Sequence, residues 1–259
     1  MDKVLRLLGM AAALTSGAEA AQKPIISDFV CQHPPYTVSI VSKSPMVLYL
    51  HDFITAEERI HLQDITKDSF LHSGVAGAAG EHAINSVRTS QSTSVARDDV
   101  VRCIEQRALD FQGYDIPKNH MEPLQLVKYG IGEQYRFHTD WFTNPALATA
   151  DIGGNRISSF FAYVHVSNDT TGGGTNFPIL DAPRDERWCK VLDCDEPYES
   201  GVTFRPIEGN AVYWENLFPN GVGDERTLHA GLPVSTGQKI GMNIWTRQAP
   251  LSEEIRGKD

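Results

Sequence analysis

His138 and Asp140 stand two residues apart in Tyr135-Arg-Phe-His138-Thr-Asp140, and a second histidine follows much later in Arg226-Thr-Leu-His229-Ala-Gly231. Two imidazoles and one carboxylate can hold one face of a ferrous ion and leave its other positions open to O2 and a chelating co-substrate. The alternation of Tyr135, Phe137 and Thr139 reads as a strand or its end, where residues two apart project from the same face. His138 and Asp140 can therefore meet one ion. For His229 to join them the chain must return to the same place, which antiparallel barrels and double-sheet jelly rolls achieve.

A His-x-Asp pair alone arises by chance in many sequences, and its bland reading is a solvated pair on a surface strand. The neighbouring motifs decide between the two. Lys239 lies in Gly237-Gln-Lys239-Ile-Gly-Met-Asn-Ile-Trp245, whose alternating apolar residues indicate a strand packed on one side. Such a lysine can snorkel its amine to water. Alternatively it meets the far carboxylate of a chelating 2-oxoacid, which needs a cation in the pocket. Tyr129, in Leu126-Val-Lys-Tyr129-Gly, can offer its phenol to the same carboxylate or fill the core as an ordinary tyrosine.

The ordered set Tyr129, His138-x-Asp140, Gly172-Gly-Gly-Thr-Asn-Phe-Pro178, Gly209-Asn-Ala-Val-Tyr-Trp214, His229-Ala-Gly-Leu-Pro233 and Lys239-x5-Trp245 resembles the catalytic domain of prolyl 4-hydroxylases, across residues 45 to 247. The resemblance implies an α+β fold with a double-stranded β-helix (jelly-roll) core braced by N-terminal helices. It also implies Fe(II), 2-oxoglutarate as co-substrate, O2, and ascorbate as reductant. Carried over residue by residue, His138, Asp140 and His229 match the iron ligands, and Lys239 and Tyr129 match the partners of the 2-oxoglutarate carboxylate. Tyr135, Arg156 and Trp245 match positions lining the substrate pocket. Their chemistry suits that role, since aromatic rings can stack on a pyrrolidine and an arginine can orient a carbonyl. The competing readings are a strand-edge charge for Arg156 and core filling for Trp245. Arg88, in Val87-Arg-Thr-Ser90, resembles a segment near the family's peptide groove or is a surface charge.

The implied activity is hydroxylation of proline in a peptide or protein, with 2-oxoglutarate converted to succinate. The same chemistry on free proline or a small natural product is the alternative. A non-catalytic jelly roll using its metal structurally is expected to lose a ligand or the co-substrate lysine, and all four positions are present. Collagen is in doubt as substrate. The segment Leu180–Thr203 lengthens the gap between Asp140 and His229, and nothing resembles the separate peptide-binding domain of animal collagen-type enzymes.

At 259 residues and 41% hydrophobic content the chain can bury one substantial core. A formal charge of −10 argues against a nucleic-acid surface and is read as a solubility feature. Residues 1–20, with basic residues, an apolar run from Leu7 to Leu14 and Ala18-Glu-Ala20, read as a signal peptide. The run is too short for a membrane span of about 20 residues. Residues 21–45 read as an extended leader and 46–250 as the catalytic domain. Cys31, Cys103, Cys189 and Cys194 form an even set in which Cys189 and Cys194 can close a small disulfide loop, or all remain free thiols. Asn168-Asp-Thr170 is an N-glycosylation sequon. The expected location is the secretory pathway, either in the endoplasmic reticulum lumen or outside the cell.

Val47-Leu-Tyr-Leu50 predicts a strand, and Thr55-Ala-Glu-Glu58 predicts a capped helix running to about Phe70. Asp98 or Asp99 caps a second helix through Leu109, with Gly113 as its stop, and the sheet core begins between Glu122 and Tyr129. The Gly/Ala/Ser-rich stretch 72–86 and the glycine-bearing segment Thr143–Asn155 are expected to be loops that control access.

Overall fold

The computed structural model describes residues 29–258 apart from 74, 77–81, 84–87, 114, 182, 184, 198 and 199. The expected signal peptide lies outside the described residues, as does most of the 72–86 stretch, of which Val75–Ala76 pairs with His82–Ala83.

Two antiparallel sheets form the core. The larger runs in the order Thr37–Lys43, Met46–His51, Ala211–Glu215, Arg156–Val166, Lys239–Arg247, Gln125–Tyr129, Gln91–Ser94, Leu71–His72. The smaller runs Val202–Phe204, Thr175–Phe177, His229–Gly231, Tyr135–His138. Helices cover one part and strands the rest, the α+β jelly-roll architecture expected. Part of the stretch read as a leader is itself a strand, Thr37–Lys43, hairpin-paired with Met46–His51.

Strand parity sorts the side chains. Phe160 and Phe161 are neighbours and so face opposite ways. Phe161 and Tyr163 join Tyr49, Tyr129 and Trp214 from the larger sheet and Phe177 and Phe204 from the smaller in one buried cluster between the sheets. Phe160 instead packs against Phe53 and Phe111 on the helix side. The same parity sends Ser159 inward and Ser158 toward the helices, where its hydroxyl meets Gln112. Gly241 has no side chain because a Cβ there would lie 2.1 Å from the Phe161 ring.

Helix α1, Ala56–Thr66, begins with the capping box read from the sequence, Thr55 and Glu58 each bonding the other's backbone. It stops short of Phe70. The Thr66 hydroxyl bonds back to the Leu62 carbonyl at 2.6 Å, and Ser69 folds its N–H and hydroxyl onto the Thr66 carbonyl, the local competition by which such side chains end helices. Helix α2, Asp99–Gln112, is capped by Asp98 and ends at Gly113, a turn beyond Leu109.

Disulfides join Cys31 to Cys103 and Cys189 to Cys194. The first ties the N-terminal segment to α2. Beside it Arg107, fully buried, bonds both oxygens of Glu58 at 2.5 and 2.8 Å and the Phe53 and Gln32 carbonyls.

Side-chain hydrogen bonds hold the Thr143–Asn155 segment against the body of the fold. Arg247 donates to the Leu147 and Ile152 carbonyls, and the Asn155 amide pairs with both backbone groups of Phe142. Gly153 has φ +96°, and a Cβ on it would lie 2.6 Å from Leu251, so close packing accounts for the residue.

Arg107→Met leaves the Glu58 carboxylate buried without its cation, and we expect a loss of about 3–5 kcal/mol in urea unfolding. Adding Glu58→Gln should restore part of it; an equal loss in single and double variants would mean that the stranded charge is not the cause.

Candidate active site

Antiparallel pairing sets His229 directly opposite His138, and Asp140 lies two residues past the end of the latter's strand. The Asp140 Oδ1 lies 3.7 Å from His138 Nε2 and 3.9 Å from His229 Nε2. Two ligands on one ion, each about 2.1 Å from it, are at most about 4.2 Å apart, so these gaps can be bridged. The three side chains are the one group of this kind among the described residues.

Both histidines are oriented the same way. His138 Nδ1 donates to the Arg136 carbonyl at 2.8 Å and His229 Nδ1 to the Thr227 carbonyl at 2.9 Å. A carbonyl only accepts, so each Nδ1 carries the proton and each Nε2 presents a lone pair to the site. Burial holds His138 far below the ordinary histidine pKa and so keeps it in the neutral, ligating form. Burial opposes ionisation of Asp140, but His229, His138, Arg156 and the Ser159 hydroxyl outweigh it, and the carboxylate pKa is lowered. Two neutral nitrogens and one anionic oxygen fit a ferrous ion.

The remaining oxygen of Asp140 is occupied. Oδ2 accepts from Ser159 Oγ at 2.7 Å and from Trp245 Nε1 at 2.9 Å. Trp245 therefore steadies a site carboxylate as well as lining the cavity, a contact that sequence reasoning did not foresee. Phe177 stacks on His229 at 5.3 Å and Trp214 meets it edge-on at 4.7 Å.

A cavity of about 1210 Å³ opens at the triad and is walled by Tyr129, Tyr135, Phe161, Thr175 and Trp245 among others. Lys239 is fully buried behind this wall, its ammonium 4.6 Å from the Tyr129 ring centroid and bonded to the Gly173 carbonyl. It forms no ion pair with an acidic side chain among the described residues, and burial lowers its pKa to about 7. A buried amine with no anion beside it is a fitting counterpart for the carboxylate of 2-oxoglutarate. Thr175, whose hydroxyl contacts Tyr163 at 2.9 Å, adds a polar group that the sequence reading passed over.

On the other side of the triad, Tyr135 stacks on His138 with centroids 3.5 Å apart, and the Arg88 guanidinium lies 4.8 Å from the Tyr135 ring. Arg88 is buried, not a surface charge. Arg156 is held by Glu122 through Nε at 2.7 Å and Nη2 at 2.8 Å and lies 3.6 Å from the Trp245 ring centroid, with Nη1 3.4 Å from the Asp140 carbonyl. Arg247 donates to the same Glu122 at 3.1 Å. Burial raises the Glu122 pKa, yet the two arginines more than compensate and the net shift is downward. Glu122 and Arg247 had no motif to mark them; the only hint was a charge at each end of strands otherwise read as core.

Because the Lys239 amine titrates near 7, binding an anion there takes up a proton at higher pH. Below that value the amine is already charged and affinity is flat; above it the dissociation constant for 2-oxoglutarate should rise up to about tenfold per pH unit. Lys239→Ala should weaken binding and abolish this slope, as read by calorimetry at pH 6 to 9. A pH-independent affinity in the unaltered protein would remove Lys239 from the carboxylate.

Residues 124–247 match the model of the 2OG-Fe(II) oxygenase superfamily. The chain is 31% identical over 218 residues to probable prolyl 4-hydroxylase 4 of Arabidopsis thaliana, covering 82% of this chain and 70% of that protein. It is 32% identical over 217 residues to prolyl 4-hydroxylase 2 of the same plant, with the same coverage. In fold it is similar to the viral collagen prolyl hydroxylase of Paramecium Bursaria Chlorella virus-1 in complex with 2-oxoglutarate, at a TM-score of 0.56 and 22% identity, over 78% of this chain and 95% of that one. On the strength of the plant relatives, matched across more than two thirds of their length, the chain belongs to the prolyl 4-hydroxylase family of 2OG-Fe(II) oxygenases.

Proposed function

We propose that this protein hydroxylates proline residues in a peptide or protein substrate, using Fe(II), O2 and 2-oxoglutarate and releasing succinate. The observation that carries the reading is the convergence of His138, Asp140 and His229 on one large cavity, with the buried Lys239, which has no acidic partner among the described residues, behind its Tyr129 wall. Iron and 2-oxoglutarate together would supply the oxidising power: one atom of O2 enters a C–H bond of the substrate and the other leaves in succinate, as 2-oxoglutarate loses CO2.

The chain's own part is positioning. His138, Asp140 and His229 would hold the iron through Nε2, Oδ1 and Nε2. Lys239 and Tyr129 would take the far carboxylate of 2-oxoglutarate, the lysine exchanging its bond to Gly173 for the ligand. Tyr135 and Trp245 offer aromatic faces to a pyrrolidine ring, and Glu122 fixes the Arg156 guanidinium so that it does not have to be ordered when substrate arrives. A cavity of about 1210 Å³ exceeds the roughly 300–1000 Å³ of a small-molecule site, leaving room for part of a peptide beside the co-substrate. Ascorbate as reductant is supported by the family resemblance.

We further propose that the protein matures in the secretory pathway. All four cysteines are paired, which suits an oxidising compartment. The sequon asparagine Asn168 is exposed on a turn closed by the Thr170 N–H bonding to the Ser167 carbonyl.

Succinate release should rise severalfold with proline-rich peptides and little with free proline, and His229→Ala should reduce it to background. Stimulation by free proline alone would reassign the substrate, and stimulation by neither would count against proline hydroxylation altogether. Expressed through a eukaryotic secretory route, the protein should carry an N-linked glycan that enzymatic deglycosylation and Asn168→Gln both remove; an unmodified secreted protein would argue against use of the sequon.

A further inference from the structure

Behind Asp140 runs a line of buried hydrogen bonds that no motif in the sequence announced. Trp214 Nε1 donates to Asn216 Oδ1 at 2.9 Å, Asn216 Nδ2 donates to Ser159 Oγ at 2.9 Å, and Ser159 Oγ donates to Asp140 Oδ2 at 2.7 Å. Ser159 and Asn216 are fully buried and Trp214 nearly so. The members come from two adjoining strands and the residue just past one of them, and the Asn216 backbone is itself fixed by bonds to Ile157 and Asp224.

The direction of each bond follows from what the end groups can do. An indole N–H can only donate, and an ionised carboxylate can only accept. Trp214 therefore fixes the Asn216 amide with its oxygen toward the indole and its NH2 toward Ser159. With the serine oxygen already accepting from that NH2, its single hydroxyl hydrogen is free to point to Asp140. A side chain that would otherwise rotate is left with one satisfied orientation, and water has no access to offer another.

We propose that Trp214, Asn216 and Ser159 are positioning residues that polarise this line toward Asp140, tie down Oδ2, and so reserve Oδ1 for the metal. This rests on the reading of the triad as an iron site. Trp214 acts twice, since its ring also braces His229 edge-on at 4.7 Å. One tryptophan thus orients two of the three ligands, one by a relay and one by direct packing.

Mn(II) and Co(II) serve as redox-inert probes for the test. Ser159→Ala should weaken Mn(II) binding about 10–100-fold, the usual effect of removing an outer partner of a ligand, and should alter the Co(II) absorption spectrum. Trp214→Phe keeps a ring against His229 but removes the N–H, and should weaken binding up to about tenfold. Thermal unfolding of the metal-free protein shows that each variant is folded, and Trp214→Phe carries the test if Ser159→Ala is not. A structural role alone would lower the unfolding temperature and leave metal affinity and spectrum unchanged; that result in a folded variant overturns the relay. If the unaltered protein binds neither ion, or His229→Ala binds as tightly, the iron-site reading itself is what fails.

Discussion

The cross-strand pairing of His229 with His138 is the contact on which the rest of the site depends. Antiparallel partners in a sheet face the same way, so a single register choice brings together residues far apart in the chain. A slip of one residue would turn one imidazole to the opposite face. That register is held by packing: Phe177 and Trp214 contact the His229 ring and Tyr135 covers His138, so aromatic burial fixes what hydrogen bonding alone would leave free to shift.

Around this pair the protein divides its polar groups by what they are allowed to satisfy. The backbone carbonyls of Arg136 and Thr227 take the outward nitrogens of the histidines, while Ser159 and Trp245 take one oxygen of Asp140. Glu122 pairs with both Arg156 and Arg247. Lys239 stands apart, buried and charged only at some cost, with a carbonyl where an anion would be expected. Among the described residues the ligands and the Arg156 guanidinium are held by fixed partners, whereas Lys239 has a carbonyl and no acidic side chain beside it.

How much was legible in the sequence depended on whether function or packing chose the residue. The convergence of the triad was legible because the joint set of motifs resembles one family, and the caps Thr55, Asp98 and Gly113 because backbone geometry limits what can stand there. Ser159 was not, because it sits in Ile157-Ser-Ser-Phe-Phe161, where the neighbouring serines look alike until parity sends one inward and one outward. Arg88 was ambiguous for a similar reason: only the third dimension shows that Tyr135 and Gln125 enclose it. The end of α1 was misjudged because side chains competing locally with the backbone decided it.

The segment Leu180–Thr203, met first as an insertion, guards the exposed flank of the smaller sheet. Val202–Phe204 is the outermost strand there, and its unpaired backbone would be open to a strand from another molecule. Instead Leu192 bridges Phe204, the Asp193 N–H bonds to Thr203 and the Arg205 N–H to Val191, with Cys189 and Cys194 joined around the turn. The extra chain thereby takes up backbone groups that the rim would otherwise leave bare, and a strand of only three residues can close a sheet that carries both histidines.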